Sequence, residues 1–227
     1  MTACFITSSG TGVGKTLVTA SLAHQLRRGG TAARVLKPVI SGFTPEDFDE
    51  SDTAILLQSQ ETAPTGDAID RMSPFRFAAP LSPDMAAVRE NRSIDFNALV
   101  AFCRDAAAGP EDITLIEGVG GVMVPLTERE TVLDWMAALG APCLLVVGSY
   151  LGTISHTLTA AGTIAARGLA ISAIVISESE ESPVPVAETQ ATIQRFLPEI
   201  RISAVPRLSG AKPWLDAPDL TPLVERA

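Results

Sequence analysis

A glycine-rich loop near the start of the chain constrains its fold more than any other feature of the sequence. The loop follows an apolar run at residues 3–6, precedes a helical pattern that begins near Lys15, and has three glycines within the five residues 10–14. Glycines at this spacing allow successive backbone N–H groups to point inward at an anion, and the following helix adds the positive end of its dipole. This order of strand, loop and helix predicts a phosphate-binding loop, in which Lys15 reaches the β and γ phosphates and Thr16 offers its hydroxyl to Mg²⁺.

The loop departs from the usual phosphate-binding pattern at one position. That pattern has a glycine five residues before Gly14, and this chain has Ser9 there. Gly10 and Gly12 are expected to supply the flexibility instead. An ordinary glycine-rich turn before a helix is the alternative interpretation, but the direct placement of Gly-Lys-Thr between strand and helix favours phosphate binding.

The composition predicts a three-layer α/β fold. The chain has 227 residues, of which 46% are hydrophobic and 5% aromatic, and its strand-like runs alternate with helix-like ones. Parallel α/β proteins have this composition and alternation. We therefore expect a single domain over residues 1–227, with helices on both faces of a mostly parallel sheet, as in P-loop NTPases. The net charge of -9 argues against a nucleic-acid partner, because no basic stripe exists to neutralise phosphates.

Cysteine usage and hydropathy predict a cytoplasmic protein. Cys4, Cys103 and Cys143 are too few and too scattered for a disulfide framework or a metal site, so we expect buried thiols in a reducing compartment. The chain does not start with a signal-like segment. Its longest apolar stretch, residues 141–147, is far shorter than the roughly 20 residues of a membrane span. We therefore expect no membrane partner.

Apolar periodicity and turn residues predict the order of the elements. Ser51 is expected to cap a helix that has Asp52 in its first turn. Residues 39–42 are expected to form a loop, and residues 61–81 an irregular excursion. The other predicted strands are 34–37, 113–117, 143–148, 170–177 and 202–205, and the other predicted helices are 15–28, 83–90, 96–108, 132–139, one that begins within 150–156 and runs to 167, and 186–196.

Three charged residues are candidates for the nucleotide and metal site. Lys37 ends the second strand, at the edge where open parallel sheets bind ligands, and its spacing supports a ligand-binding lysine and a solvated strand-end lysine equally. Asp52 needs no function to explain it at a helix start, and it becomes a metal ligand only if that helix end faces the loop. Glu117 ends an apolar strand, where P-loop proteins place a second carboxylate beside the magnesium. This position favours metal binding over a lone strand-end acid.

The start of the helix after residue 150 is a fourth candidate. Free backbone N–H groups at a helix start can bind an anion, and Thr153 and Ser155 would add hydroxyls. The sequence supports this interpretation no better than an ordinary helix start.

Six segments together resemble those of the dethiobiotin synthetases, the family that closes the urea ring of dethiobiotin in the biotin pathway. They occur in family order, cover most of the chain and become weaker after about residue 177. The segments are Gly-Val-Gly-Lys-Thr at 12–16, Lys-Pro-Val-Ile-Ser-Gly at 37–42, Ser-Asp at 51–52, Ala-Pro-Leu-Ser-Pro at 79–83, Glu-Gly-Val-Gly-Gly at 117–121 with Pro-Leu at 125–126, and Leu-Gly-Thr-Ile-Ser-His at 151–156.

The resemblance implies an ATP-dependent ring closure with Mg²⁺ as the cofactor. A vicinal diamine, 7,8-diaminononanoate, takes up CO₂ as a carbamate, ATP phosphorylates the carbamate, and the second amine displaces phosphate to close a cyclic urea. This chemistry brings an anion against the γ-phosphate, so that positive charge is needed locally. Lys15, Lys37 and Mg²⁺ are the available cations.

The resemblance also implies the residues of each part of the site. Lys15 and Lys37 are implied as catalytic residues, and Thr16, Asp52 and Glu117 as metal ligands. The implied nucleotide-binding residues are Gly12, Val13, Gly14, Lys15, Thr16, Leu17, Asp52, Glu117, Gly118, Val119, Gly120, Ser177, Pro206, Arg207 and Leu208. The implied substrate-binding residues are Thr11 and Ser41, together with Gly152, Thr153 and Ser155 from the neighbouring subunit of a homodimer.

A few positions depart from the family's pattern. Ser8 stands at the family's leading glycine, Gly12 stands where many members carry glutamate, and Ser155 stands where an asparagine is common. Ser177 stands where many members have an asparagine that reads adenine. We therefore expect weak discrimination among nucleotide bases, and loop contacts that differ from those of the family.

Two other classes of P-loop protein are alternatives. A regulatory ATPase of the deviant-Walker kind usually has an extra lysine early in the loop, and Ser8, Ser9 and Gly10 provide none. A small-molecule kinase would need an arginine-rich lid over its phosphoacceptor, and none is evident within residues 112–167.

Overall fold

The structure is a computed structural model, and it describes residues 3–224. Strands and helices alternate along these residues. The strands are β1 (Ala3–Ser8), β2 (Ala33–Leu36), β3 (Val39–Ser41), β4 (Phe75–Phe77), β5 (Ile113–Glu117), β6 (Cys143–Val147), β7 (Ile171–Ser177) and β8 (Arg201–Val205). The helices are α1 (Lys15–Arg28), α2 (Asp52–Ser59), α3 (Gly66–Met72), α4 (Pro83–Arg89), α5 (Phe96–Ala107), α6 (Val132–Leu139), α7 (Thr153–Ala166) and α8 (Val186–Phe196), with short 3₁₀ turns at Phe48–Glu50, Pro213–Asp216 and Thr221–Leu223.

Six strands form one sheet in the order β2-β5-β1-β6-β7-β8, and all five neighbouring pairs are parallel. Successive residues of a strand point to opposite faces, so Phe5 and Ile6 of β1 belong to different hydrophobic clusters. On one face Phe5 packs edge-on against Trp135 of α6, with ring centroids 4.8 Å apart. On the other face Ile6 joins Leu22 of α1 in the second cluster. Helices on both faces of a parallel sheet confirm the predicted three-layer α/β fold.

The strand order brings the candidate residues to one edge of the sheet. β2, β5 and β1 are adjacent, with Leu36 paired to Ile116 and Ile6 paired to Glu117. Because the strands are parallel, their carboxyl ends lie at the same edge, where open α/β sheets bind ligands. Lys37, Glu117 and the glycine-rich loop therefore meet there.

The predictions for two segments before β5 are wrong. Residues 39–42, expected as a loop, contain β3, which pairs in parallel with β4. Residues 61–81, expected as irregular, contain α3 and β4. Pro38 separates β2 from β3, its carbonyl accepts a hydrogen bond from the Phe75 N–H at 3.0 Å, and Phe77 is buried in the core. These pairings join residues far apart in the sequence, so local periodicity does not reveal them.

Most other element predictions are confirmed. The bounds of α1, β5, α6 and α8 are as predicted, and the other predicted strands and helices differ by a residue or so at an end. Ser51 caps α2 as expected, because its Oγ accepts the Ala54 N–H at 3.2 Å.

The three cysteines are buried, and no disulfide joins them within the described part of the chain. Burial raises the pKa of each thiol, Cys4, Cys103 and Cys143, to about 12. They are therefore protonated packing groups near neutral pH, as the sequence predicts. No helix within residues 3–224 is long and apolar enough to cross a membrane.

Candidate active site

The side chain of Ser8 anchors the glycine-rich loop. Its Oγ lies 2.6 Å from the Gly10 carbonyl oxygen and 2.9 Å from the Gly120 carbonyl oxygen, and it accepts a hydrogen bond from Lys15 Nζ at 3.1 Å. Ser8 is fully buried, so these contacts are shielded from water. In the sequence, Ser8 is only a departure from the family's pattern. In the structure its hydroxyl has a structural role, because the segment after β5 brings the Gly120 carbonyl within hydrogen-bond distance of it.

Gly14 fits the loop tightly against the sheet. It caps the start of α1 with a φ of 90°, in the left-handed region that favours glycine. A Cβ at Gly14 would lie 2.8 Å from the Cβ of Ser177 at the end of β7. Only glycine is therefore compatible with both the backbone conformation and the available space.

Three charged side chains and the hydroxyl of Thr16 form a partly buried ionic cluster beside the loop. Lys37 Nζ lies 2.8 Å from Asp52 Oδ2 and 2.7 Å from Glu117 Oε1. Thr16 Oγ1 lies 2.7 Å from Asp52 Oδ1 and 3.0 Å from Glu117 Oε1. Lys37 is only 2% exposed, so it is not a solvated strand-end lysine. The start of α2 faces the loop, which is the condition under which Asp52 becomes a candidate metal ligand.

The contacts within the cluster shift the pKa values of Lys37 and Asp52. Burial would lower the pKa of Lys37, but the carboxylates of Asp52 and Glu117 outweigh burial and raise it. Burial would likewise raise the pKa of Asp52, but the ammonium of Lys37 holds it below its usual value. Both groups are therefore charged at neutral pH.

The pKa of Lys15 is shifted in the opposite direction to that of Lys37. Burial, followed by repulsion from the Lys37 ammonium, lowers the pKa of Lys15 to about 8. Lys15 follows the loop after β1 and Lys37 follows β2, so both lie at the carboxyl edge of the sheet.

The residues of the cluster suit a hard divalent cation. Thr16, Asp52 and Glu117 present oxygen atoms, which Mg²⁺ prefers. Glu117 is fully buried, and its Oε2 has no hydrogen-bond partner among residues 3–224, as expected for an oxygen that another ligand would satisfy. No group of three or more histidine, cysteine, aspartate or glutamate side chains in this range could hold a metal by itself. Phosphate oxygens would therefore have to complete the coordination.

The segment after β5 contributes mainly backbone groups. The Gly118 carbonyl accepts a hydrogen bond from Lys37 Nζ at 2.9 Å, and the Gly120 carbonyl faces Ser8. The side chain of Val119 belongs to the hydrophobic core, so it does not face the loop.

A cleft of about 280 Å³ lies beside the loop. It brings together residues that are distant in the sequence and were predicted as nucleotide-binding. Those in its lining are Gly12, Val13, Gly14, Leu17, Ser177, Pro206, Arg207 and Leu208. Sequence reasoning did not identify Glu178, Ser179 and Glu180, which also line it. Arg207 Nη2 lies 3.2 Å from Glu180 Oε2, so two opposite charges border this cleft.

A second cleft, of about 400 Å³, lies on the other side of the loop. It is lined by Thr11 and Ser9 of the loop, by residues 121–125, and by His156 and neighbouring residues of α7. Sequence reasoning gave His156 no role. Its Nδ1 lies 2.9 Å from the hydroxyl of Tyr150, a contact that no sequence pattern indicates. The structure places Ser41 elsewhere, at the end of β3.

The start of α7 differs in part from the prediction. Gly152 caps the helix with a φ of 101° and Ser155 is exposed. Thr153 is buried, and its hydroxyl donates to the Gly148 carbonyl at 2.7 Å. The expectation that Thr153 offers a hydroxyl to an anion is therefore wrong, because that hydroxyl fastens the helix to the end of β6.

A groove of about 720 Å³ lies between α4 and residues 126–130. None of the predicted site residues lines it. Nine of the predicted residues instead line the two clefts beside the loop, and Thr16, Lys37, Asp52 and Glu117 meet in the ionic cluster.

The lowered pKa of Lys15 predicts pH-dependent nucleotide binding. Lys15 is charged below about pH 8 and becomes neutral above it, so it loses its attraction for phosphates as the pH rises. We expect nucleotide affinity to fall by about tenfold per pH unit above this value, until the pKa of Lys15 in the complex limits the effect. Calorimetric titrations between pH 7 and 9 measure it, with Lys15→Met as the control that removes the dependence. A flat profile in the unsubstituted protein would contradict this assignment.

Known proteins resemble this chain over nearly its whole length. The AAA domain family matches residues 2–214. The ATP-dependent dethiobiotin synthetase of Acidiphilium cryptum is 48% identical over 217 residues, which cover 93% of this chain and 96% of that protein. The corresponding enzyme of Methylobacterium nodulans is 46% identical, with 92% and 95% covered. That of Caulobacter vibrioides is 42% identical, with 91% and 93% covered.

Solved structures agree on the fold. A chain of the MinC:MinD cell division protein complex from Aquifex aeolicus has a TM-score of 0.55 at 14% identity, covering 91% of this chain and 81% of that one. A ParA family ATPase from Chlorobium tepidum has a TM-score of 0.53 at 14% identity, with 91% and 85% covered. At these identities the likeness shows a P-loop α/β fold and nothing more specific.

The full-length relatives decide between the classes that the loop alone leaves open. A regulatory switch and a small-molecule kinase share the phosphate-binding loop, but the sequence identity extends through β5, α7 and β7 to nearly the whole of each synthetase. The chain therefore belongs to the dethiobiotin synthetase family of ATP-dependent ligases.

Proposed function

We propose that this chain is a cytoplasmic, single-domain enzyme that uses ATP and Mg²⁺ to close 7,8-diaminononanoate and CO₂ into the cyclic urea dethiobiotin, with release of ADP and phosphate. The observation that carries the proposal is the meeting of Lys37 and two carboxylates at the edge of the sheet that also carries Lys15, next to a loop that lines two clefts. One cleft would hold the nucleotide and the other the diamine, so that their reacting ends meet over the loop.

The proposed reaction has three bond-forming steps. One amine attacks CO₂ and loses a proton, which gives a carbamate. A carbamate oxygen then attacks the γ-phosphorus and ADP leaves. The second amine attacks the carbamate carbon, phosphate leaves and the nitrogen loses its proton, which closes the ring. The last step is intramolecular and benefits from a large effective molarity.

The chain's own residues would supply charge and position. Lys15 and Lys37 would neutralise the carbamate and the γ-phosphate, two anions that otherwise repel each other. Thr16, Asp52 and Glu117 would hold Mg²⁺, which when bound supplies further positive charge to the phosphates. No side-chain nucleophile is needed, because positioning and electrostatics carry phosphoryl transfer.

The diamine would lie in the cleft beside Thr11 and extend beyond it toward Ser41, which does not line that cleft and would contact its amino end. Gly152 and Ser155 of a neighbouring subunit would bind its carboxylate tail through the start of α7. The exposed side chain of Leu151, at 88%, supports a subunit contact near this helix. We therefore propose a homodimer in which each site is completed by the other subunit.

The reaction is tested by measuring ADP release with and without 7,8-diaminononanoate and bicarbonate. We expect release only when both are present, together with a product whose mass corresponds to the cyclic urea. Diamine-independent hydrolysis that a protein partner stimulates would favour the regulatory switch instead. Phosphate transfer to a hydroxyl compound would favour the kinase.

We also expect weak selectivity among nucleotide bases. The base cleft contains the short hydroxyl of Ser177 and the charged pair of Arg207 and Glu180, rather than a side-chain amide that pairs with adenine. CTP and GTP should support turnover within about tenfold of ATP, a gap of about 1.4 kcal/mol. A panel of kcat/KM values measures this, and strict preference for ATP would contradict it.

A further inference from the structure

The ammonium of Lys37 occupies the space between the two carboxylates of the cluster. An ammonium has three N–H donors, and Lys37 Nζ has three oxygen partners: Asp52 Oδ2 at 2.8 Å, Glu117 Oε1 at 2.7 Å and the Gly118 carbonyl at 2.9 Å. Because Lys37 is only 2% exposed, water does not replace any of these partners. The lysine is therefore fully engaged with the acids.

The same two carboxylates are the proposed metal ligands. Lys37 contacts one oxygen of each acid, at 2.8 Å and 2.7 Å, so a divalent cation on the same two carboxylates would lie close to the ammonium and be repelled by it, even though Glu117 Oε2 has no partner among residues 3–224. Lys37 and a divalent cation therefore compete for Glu117 and Asp52.

We propose that Lys37 is an internal competitor that keeps free divalent metal out of the site until nucleotide phosphates bind. While Lys37 holds both acids, its ammonium offsets one of their two negative charges and repels an entering cation, so a metal without nucleotide gains less by entering. Phosphates offer Lys37 a new anionic partner, so that it can leave the acids without becoming an unpaired buried charge. Metal and nucleotide would therefore bind together, and the same movement would bring the Lys37 ammonium to the γ-phosphate. This inference rests on the metal site of the proposed function.

Thr16 would keep one of the acids in position during the exchange. Its Oγ1 lies within hydrogen-bond distance of Asp52 Oδ1 and Glu117 Oε1, at 2.7 Å and 3.0 Å, and its single hydrogen can be donated to one of them at a time. The contact with Asp52 Oδ1 is to an oxygen that Lys37 does not hold, so Asp52 remains oriented when the lysine moves.

Lys15 provides a matched control, because it carries a positive charge near the site but does not pair with the two carboxylates. It is a second buried ammonium at the same site, 7% exposed, and it repels Lys37. Its Nζ donates to Ser8 Oγ at 3.1 Å, and no ion pair joins it to either acid within residues 3–224. Removing Lys15 therefore changes the local charge but leaves the carboxylates held by Lys37.

The test is a titration of nucleotide-free protein with Mn²⁺, followed by electron paramagnetic resonance. Lys37→Met should bind Mn²⁺ about tenfold or more tighter than the unsubstituted protein, because the form with accessible carboxylates is no longer a minor population. Lys15→Met should gain less than about threefold, because it changes only the local field. Thermal unfolding gives a second measurement, in which Mn²⁺ should raise the Tm of Lys37→Met but leave that of the unsubstituted protein nearly unchanged.

If Lys37→Met does not fold, Lys37→Gln replaces it in the titration. Its amide retains a hydrogen bond to one acid but carries no charge. Equal gains for the Lys15 and Lys37 variants, or no gain for either Lys37 variant, would overturn the proposal. A separate titration with Mn²⁺ and ATP distinguishes this failure from a failure of the proposed function. If the unsubstituted protein binds no Mn²⁺ even with ATP, the metal site itself is wrong; if it binds Mn²⁺ only with ATP and Lys37→Met shows no gain, only the competition is wrong.

Discussion

Replacing Lys37 by alanine is expected to lower turnover by about 10²-fold or more while leaving nucleotide affinity largely intact. Lys37 is buried and paired with Asp52 and Glu117 rather than with the loop, so binding of the α and β phosphates does not depend on it. In the proposed reaction, its charge is needed when the carbamate meets the γ-phosphate. The loss should therefore appear in kcat, measured at saturating diamine, bicarbonate, ATP and Mg²⁺.

The chain offers a matched control for this substitution. Lys15, Lys37 and Lys212 are its three lysines, and Lys212 is exposed before the 3₁₀ turn Pro213–Asp216. Lys212→Ala should leave kcat unchanged. Unchanged turnover in Lys37→Ala, at an unchanged Tm, would mean that Lys37 has no catalytic role and only offsets part of the charge of the acids.

Replacing Gly14 by alanine is expected to weaken nucleotide binding by about 10²-fold. An L-residue at a φ of 90° carries backbone strain of roughly 1–3 kcal/mol. The new Cβ would also lie 2.8 Å from Ser177 Cβ, an atom that cannot rotate away because it is fixed to the backbone of β7. The loop must therefore shift, which misdirects the N–H groups that face the phosphates. Calorimetric titration with ATP measures the loss.

Gly12→Ala separates backbone strain from crowding. Gly12 also has a positive φ, of 72°, but a Cβ there would meet nothing within 4 Å. We expect a loss of about tenfold, from strain alone. Equal losses in the two variants would show that the contact with Ser177 does not matter, and a normal affinity in Gly14→Ala would contradict the loop geometry described above.

Much of the fold follows from local signals in the sequence. The glycine-rich loop marks the end of β1 and the start of α1, and apolar runs mark β5 and β6. These signals work because hydrophobic periodicity and capping act over a few residues. β3 and β4 escaped prediction because each has three residues and is stabilised by pairing with the other across residues 42–74.

The sequence predicted the candidate site as a set of strand-end and loop residues, but it did not predict which of their side chains contact each other. Lys37 could be a solvated lysine, and Asp52 could be a first-turn helix residue without a function. In the structure Lys37 is buried and paired with two acids, so it is not solvated, and Asp52 lies 2.7 Å from Thr16 Oγ1, so the start of α2 faces the loop. For Thr153 the structure removes a predicted role instead of supporting one, because its hydroxyl donates to the Gly148 carbonyl inside the protein.

By itself, the sequence determined the phosphate-binding loop, the parallel α/β architecture and the family, because these depend on local residue patterns and on the resemblance of ordered segments. Only the tertiary structure decided which charges share one buried space, that Ser8 anchors the loop, and that Lys37 holds the same acids as the proposed metal. The physical reason is that ionic contacts depend on distances of a few ångströms between residues far apart in the chain, and strand order, rather than any local pattern, sets those distances.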